Sequence, residues 1–282
     1  MTGSPFLRTG GAVVTGAGRG LGREIAKRLG RDGFDVTVTD LDAEAAEAVA
    51  AAIRMAGGTA ASLALDVADQ ADCRQGAAAT VERAGSLDVW VNNAGVLVTG
   101  EVWAHDDAQR RLMFEVNALG TMHGTVAALE VMRPAGRGHV VNIASLAGLV
   151  SVPGEGVYAA TKHAVMGLSL SALADLRAAG DNDVHISCIC PDGMWTPMLH
   201  DKVHDPTASM SFSGKVLQPE AVAALVTRVL ERPRPVVAAP AWRGVQARVF
   251  DLSPRLAMRA APLVVRLSRL QQRRAAKRLA QS

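Results

Sequence analysis

"TGAGRGLG", Thr15 to Gly22, decides the fold of this chain. It follows the apolar run "GAVV" and opens a segment in which Leu21, Ile25, Ala26 and Leu29 recur at helical spacing. A strand that turns through glycines into a helix presents free backbone amides and the positive end of the helix dipole, and both attract phosphate. The glycines at positions 16, 20 and 22 let the backbone approach a pyrophosphate closely. An ordinary loop fits the same letters, so context must decide. Eighteen residues after Gly22, a second apolar run, "VTVTD", closes on Asp40. A carboxylate there would accept hydrogen bonds from the ribose 2′-hydroxyl of NAD and repel the 2′-phosphate of NADP, so NAD is the expected cofactor and NADP the less favoured one. Arg19 reads either as a partner for that phosphate or as a solvated charge.

Further apolar runs begin at Thr59, Leu87, Gly138 and Val184, with a shorter one, "PVVAA", at Pro235 after a helix starting near Glu220. The intervals carry helical periodicity, and a crossover between parallel strands needs about a dozen residues. This rhythm predicts an α/β fold: a doubly wound, Rossmann-type three-layer sandwich with a mostly or wholly parallel sheet of about seven strands. The 282 residues suit one large domain, expected over 1–242, followed by a basic helical extension over 243–282. The stretch 197–217 lacks periodicity and is long for a connection, so it reads as a mobile lid or a disordered loop.

Composition narrows the function classes. Aromatic residues make up 4% of the chain, too few for a stacking surface on nucleic acid. The net charge of +3 conceals a split: from Arg243 onward ten basic residues face one acid, Asp251. The body is therefore acidic and the tail basic, which argues against a general nucleic-acid protein. Cys73, Cys188 and Cys190 lack the paired spacing of a zinc site, and no metal is expected. The N-terminal "MTGSPFLRTGG" has no run suited to a signal peptide, and no uninterrupted apolar span is long enough to cross a bilayer. A soluble, cytoplasmic protein is expected.

In "GEGVYAATKHAV", Gly154 to Val165, the one tyrosine of the chain, Tyr158, lies four residues before Lys162. On a helix that spacing puts both on one face. A phenol titrates near pH 10, and a nearby ammonium lowers such a value by about one to three units, toward that of a proton carrier. A surface pair has the same spacing. Ser145, at the end of "HVVNIAS", and Asn117, in "FEVNALGT", add weight to the chemical reading.

The ordered set "TGAGRGLG", Asp40, "DV" at Asp66, "NNAG" at Asn92 to Gly95, Asn117, Ser145, the Tyr158 and Lys162 pair and "PDGMWT" at Pro191 to Thr196 resembles the short-chain dehydrogenase/reductase family. The resemblance extends from about Gly11 to Met198. It implies that Tyr158 is the general acid and base, that Lys162 lowers its pKa and binds the nicotinamide ribose, and that Ser145 holds the substrate oxygen. Asn117 would position a water linked to Lys162. The cofactor would lie along Gly16, Arg19, Gly20, Leu21 and Gly22, with Asp40 at the ribose, the Asn93, Ala94 and Gly95 backbone passing close to it, Thr196 at the carboxamide and Pro191 among the residues that bind it; Asp66 and Val67 would bracket the adenine or belong to a helix N-cap region.

The chain departs from the family's pattern twice. Asp192 stands where a glycine is usual, either facing a donor group on the substrate or pointing to solvent. After Val236, "PVVAAPAWRGVQARVF" lacks the glycine-rich turn that supports the usual tetramer. A homo-oligomer, dimer or tetramer, is still expected. Leu263, Leu267 and Leu270 beside Arg266, Arg269, Arg273, Arg274, Lys277 and Arg278 suit docking on anionic lipid, a subunit contact or a solvated helix. Trp103, Trp195 and Trp242 with Met194, Met198 and Met210 form either an apolar substrate pocket or core packing. Three functions compete: an NAD(H)-dependent oxidoreductase interconverting an apolar secondary alcohol and a ketone, an NADPH-dependent reductase of 3-oxoacyl thioesters, and a dinucleotide sensor without chemistry.

Overall fold

The computed structural model describes residues 10–279, so the N-terminal stretch read for a signal peptide lies largely outside the described residues. Seven parallel strands form one sheet in the order β3-β2-β1-β4-β5-β6-β7. They are β1 Gly11–Val14, β2 Asp35–Asp40, β3 Thr59–Ala64, β4 Leu87–Asn92, β5 Gly138–Ile143, β6 Val184–Pro191 and β7 Val236–Ala239. The crossovers carry α1 Gly20–Arg31, α2 Ala43–Met55, α3 Gln70–Ala84, α4 Asp107–Phe114, α5 Gly120–Ala135 and α6 Gly156–Ala179. Next come the single turn α7 Pro197–His200, then α8 Pro219–Glu231, α9 Ala241–Asp251 and α10 Pro254–Leu279.

Alternation along the strands builds the two outer layers. In β1, Ala12 and Val14 face a core completed by α1, α2 and α8, with Ile25, Val49 and Val226 in it. Val13 faces the opposite core, under α3, α5 and α6, with Trp90, Met132 and Leu176. Both faces of β1, β4 and β5 are buried, which is why they read as continuous apolar runs rather than as an alternation. The order of strands reverses beside β1, and the crevice there, beyond the carboxyl ends of β1 and β4, is where a doubly wound sheet receives ligands.

The stretch 197–217 is built structure: α7 and a 3₁₀ segment, Pro206–Phe212, bury Leu199, Val203, Ala208 and Phe212 against Ala275 and Ala276 of α10. Helices this short show no periodicity in sequence, which explains the aperiodic reading. α9 packs Ala247 against Cys188 and Cys190 of β6, and α10 packs onto the 3₁₀ segment.

Candidate active site

The glycine turn leads into a helix whose start carries no side-chain cap. Asp42, Asp69 and Asp106 cap α2, α3 and α4 with their carboxylates, whereas α1 starts at Arg19 with no side-chain cap and no acid in its first turn. Its first amides are left for a ligand. Gly16 and Gly20 have φ of 60° and 56°, in the left-handed region, and a Cβ on Gly16 would stand 2.7 Å from the Ala94 Cα. Only glycine suits that approach. Asn93 donates from Nδ2 to the carbonyls of Thr15 and Gly16 at 2.9 and 3.0 Å, and Thr15 Oγ1 accepts from the amides of Asn93 and Ala94. The turn after β1 is thereby stitched to the end of β4. Leu21 packs its side chain into the core, and Arg19 is exposed.

Asp40, at the end of β2, accepts from the Gly18 amide at 2.9 Å and the Asp42 amide at 3.2 Å, placing its carboxylate at the mouth of the glycine turn. Asp66 accepts from the Ala68 amide within its own turn, and Val67 is buried against Gly120. Thr196 lies over the other end of the turn, 3.6 Å from where a Cβ on Gly20 would be. The uncapped helix, the glycine backbone and the carboxylate at the second strand together suit an adenine dinucleotide.

Asn117 sits in a π turn, Glu115–Leu119, between α4 and α5. Its Oδ1 accepts from the Val96 amide, and its Nδ2 donates to the Val96 carbonyl at 2.9 Å and to Thr161 Oγ1 at 3.1 Å. Both amide hydrogens are spent on holding the chain beyond Gly95 to α6. The Asn117 carbonyl accepts from Thr121 Oγ1. A water placed by Asn117 would therefore use a remaining oxygen lone pair.

Ser145 and Tyr158 line the same small cavity, the serine placed to favour the ionised phenol. Ser145 Oγ also accepts from the Ala147 amide at 3.1 Å, which fixes the short turn after β5. Lys162 is 4% exposed; its ammonium donates to the Ile143 carbonyl at 3.0 Å and lies 5.6 Å from the centre of the Tyr158 ring. Burial brings Lys162 down to about 8. The phenol moves the other way from the sequence expectation: burial and then the Glu155 charge push it up, with the Ser145 hydroxyl opposing. Burial thus outweighs any lowering by the ammonium, which lies over the ring.

Ser145, Tyr158, Pro191 and Thr196 share a small cavity with Glu155, Met194 and Met198. It adjoins a larger chamber, about 990 Å³ with its open mouth included, and the two share Ser145, Glu155, Asp192, Gly193 and Ser211. Leu146, Val150, Phe250, Met258 and Val264 give the chamber an apolar lining, with Met210 beside them. The tryptophans do not meet there: Trp103 and Trp242 are 86% and 61% exposed, and Trp195 packs edge-on to His200. Asp192 lines both cavities, but its carboxylate is committed to an ion pair. Its Oδ2 accepts from Arg243 Nε at 2.8 Å, and the guanidinium also donates to Ser213 and Gln246, so α9 is tied to the end of β6.

Glu155 escaped the sequence reading although it lies three residues before Tyr158. It is buried, accepts from Ser211 Oγ at 2.6 Å, and is pushed up to about 7 by burial. Between its unfolded value of 4.5 and about 7 the folded protein keeps a proton that the unfolded chain releases, so stability present at the acid end is lost as pH rises through this window. The loss amounts to about 3 kcal/mol at most. Glu155→Gln is expected to flatten that slope, and thermal unfolding of both proteins between about pH 5 and pH 8 checks it.

A parallel sheet with a glycine turn at its switch point and a serine, tyrosine and lysine at the carboxyl ends of its strands defines a Rossmann-type oxidoreductase class. Residues 11–207 match the short chain dehydrogenase family, and the chain belongs to it. It is 36% identical over 194 residues to the sex determination protein tasselseed-2 of Zea mays, covering 67% of this chain and 56% of that protein, little more than half its length. It is 32% identical over 210 residues to estradiol 17-beta-dehydrogenase 11 of Mus musculus, covering 74% and 68%. A short chain dehydrogenase/reductase from Burkholderia phymatum, solved in complex with NAD, superposes with a TM-score of 0.81 at 28% identity over 89% of this chain and 97% of that one.

Proposed function

We propose that the protein is an NAD(H)-dependent oxidoreductase that interconverts an apolar secondary alcohol and the corresponding ketone. The observation that carries this reading is the pair of hydroxyl side chains, Ser145 and Tyr158, lining one cavity with Thr196. The nicotinamide dinucleotide, when bound, supplies the hydride acceptor or donor. The α1 amides and the Gly16 to Gly22 backbone would hold its pyrophosphate, Asp40 its adenosine ribose and Lys162 the second ribose. Asp66 and Val67 would flank the adenine, and the backbone from Asn93 to Gly95, with Pro191 and Thr196, would line the nicotinamide.

A hydride brings no proton, so the substrate oxygen needs its own proton partner. Tyr158 gives the proton during reduction and takes it during oxidation, while Ser145 holds the same oxygen. The half-buried phenol, held protonated, is loaded for the reductive direction, and Lys162 supplies the positive charge that favours its ionised form. The chamber behind Ser145 would receive the apolar body of the substrate. The NAD complex of the Burkholderia phymatum protein and the steroid alcohol in the name of the mouse relative support the reading.

The test is absorbance at the reduced-nicotinamide band with a panel of hydroxysteroids, aliphatic secondary alcohols and 3-oxoacyl thioesters, each with both cofactors. NADH is expected to be preferred by about tenfold or more, since a 2′-phosphate would meet the Asp40 carboxylate at close range. Asp40→Ala should erase most of that preference, measured as the ratio of kcat/KM values. A strong NADPH preference in the unaltered protein, with turnover of thioesters, would transfer the assignment to the reductase reading. Leu112, Phe114, Leu119 and Met122 stand exposed around α4 and α5, which supports a homo-oligomer formed through these helices.

A further inference from the structure

α9 and α10 each give one face to the chamber and turn a second, apolar face outward. Ala247 and Phe250 of α9 and Ala257, Ala261 and Val264 of α10 line the chamber. On the outer side of α9, Trp242, Val245, Val249 and Leu252 are exposed. On α10, Leu256, Leu263, Leu267 and Leu270 are exposed, and at about 100° per residue they fall on a stripe about 60° wide. The adjoining stripe of α10 holds Arg255, Arg259, Arg266, Arg273 and Lys277, all exposed. Between Pro254 and Leu279 the helix has no acidic residue.

Exposed leucines beside an unbroken row of cations are what an interfacial helix needs: apolar side chains for the acyl boundary and positive heads for phosphate. A two-fold contact between copies through the same stripe would bring cation row against cation row, with no carboxylate on the helix to answer it. Among the described residues no helix is long and apolar enough to cross a membrane, so the attachment would be to the surface. We propose that α9 and α10 dock the protein on a bilayer leaflet containing anionic lipid, leucine stripe inward and arginines at the headgroups. The chamber then lies directly behind the docked helices and receives apolar substrate from the lipid phase; this entry route, unlike the docking, rests on the oxidoreductase reading.

Flotation of the full-length protein with phosphatidylcholine vesicles, with and without phosphatidylserine, tests the docking and uses neither substrate nor cofactor. Binding is expected only with phosphatidylserine and should fall as salt is raised. Reversing Arg259, Arg266 and Arg273 to Glu should lower the bound fraction about tenfold or more, and so should Leu263→Ser with Leu267→Ser and Leu270→Ser. Circular dichroism of each variant checks that the exposed substitutions leave the fold intact. Absence of phosphatidylserine-dependent binding by the unaltered protein at low salt overturns the proposal without recourse to any variant. Loss of self-association in the leucine variant, with its vesicle binding unchanged, overturns it in favour of a second copy on this face. If docking holds while no alcohol or ketone is turned over, the oxidoreductase reading fails alone.

Discussion

Tyr158→Phe is expected to lower kcat by about 10²–10⁴-fold while leaving cofactor affinity nearly unchanged, because it deletes one hydroxyl and keeps the ring that packs beside Lys162. Without that hydroxyl, hydride transfer would leave an alkoxide to be protonated by water, and the reverse reaction would have no base. Steady-state kinetics with the best alcohol of the panel, paired with fluorescence titration of NADH, separates the two effects. Turnover at the original rate would remove the assignment. The unaltered enzyme should also show a direction-dependent pH profile. Burial and Glu155 hold the phenol protonated, so oxidation should accelerate as pH rises and reduction should not.

Asp192→Ala is expected to destabilise the protein by about 3 kcal/mol, because it leaves Arg243 buried beside an apolar chamber without its counter-charge. The pair is 8% and 17% exposed, too enclosed for water to replace the lost partner cheaply. Arg243→Met alone strands the carboxylate and should cost a similar amount. The double variant should be more stable than the sum of the single losses, the sign of direct coupling, and urea unfolding of the four proteins measures it. Equal, additive losses would mean that Asp192 and Arg243 act independently. Activity should fall with the same variants, since Asp192 lines both cavities and Arg243 joins it to Ser213.

Much of the dinucleotide half was legible because its chemistry is carried by backbone. A glycine turn between strand and helix, an acid at the end of the next strand and an asparagine at the end of the fourth each sit at a fixed place in a repeating β-α pattern, so position along the chain implies position in space. Tyr158 and Lys162 were legible for the same reason: four residues on a helix are one turn apart. The segment 197–217 was less so, because α7 and its 3₁₀ neighbour are too short to print a period, and their burial depends on α10, some sixty residues further on.

By itself the sequence determined the parallel α/β sheet of about seven strands and the residues placed at the strand ends, since these follow from local periodicity and from spacing within one turn or one strand. The tertiary structure alone decided what surrounds them. It closed Asp192 onto Arg243, placed Glu155 between two cavities, moved the three tryptophans away from the pocket and turned the Lys162 ammonium toward the Tyr158 ring. Each of these depends on packing between segments tens of residues apart, where burial and the distance between charges set the energies and no local pattern records them.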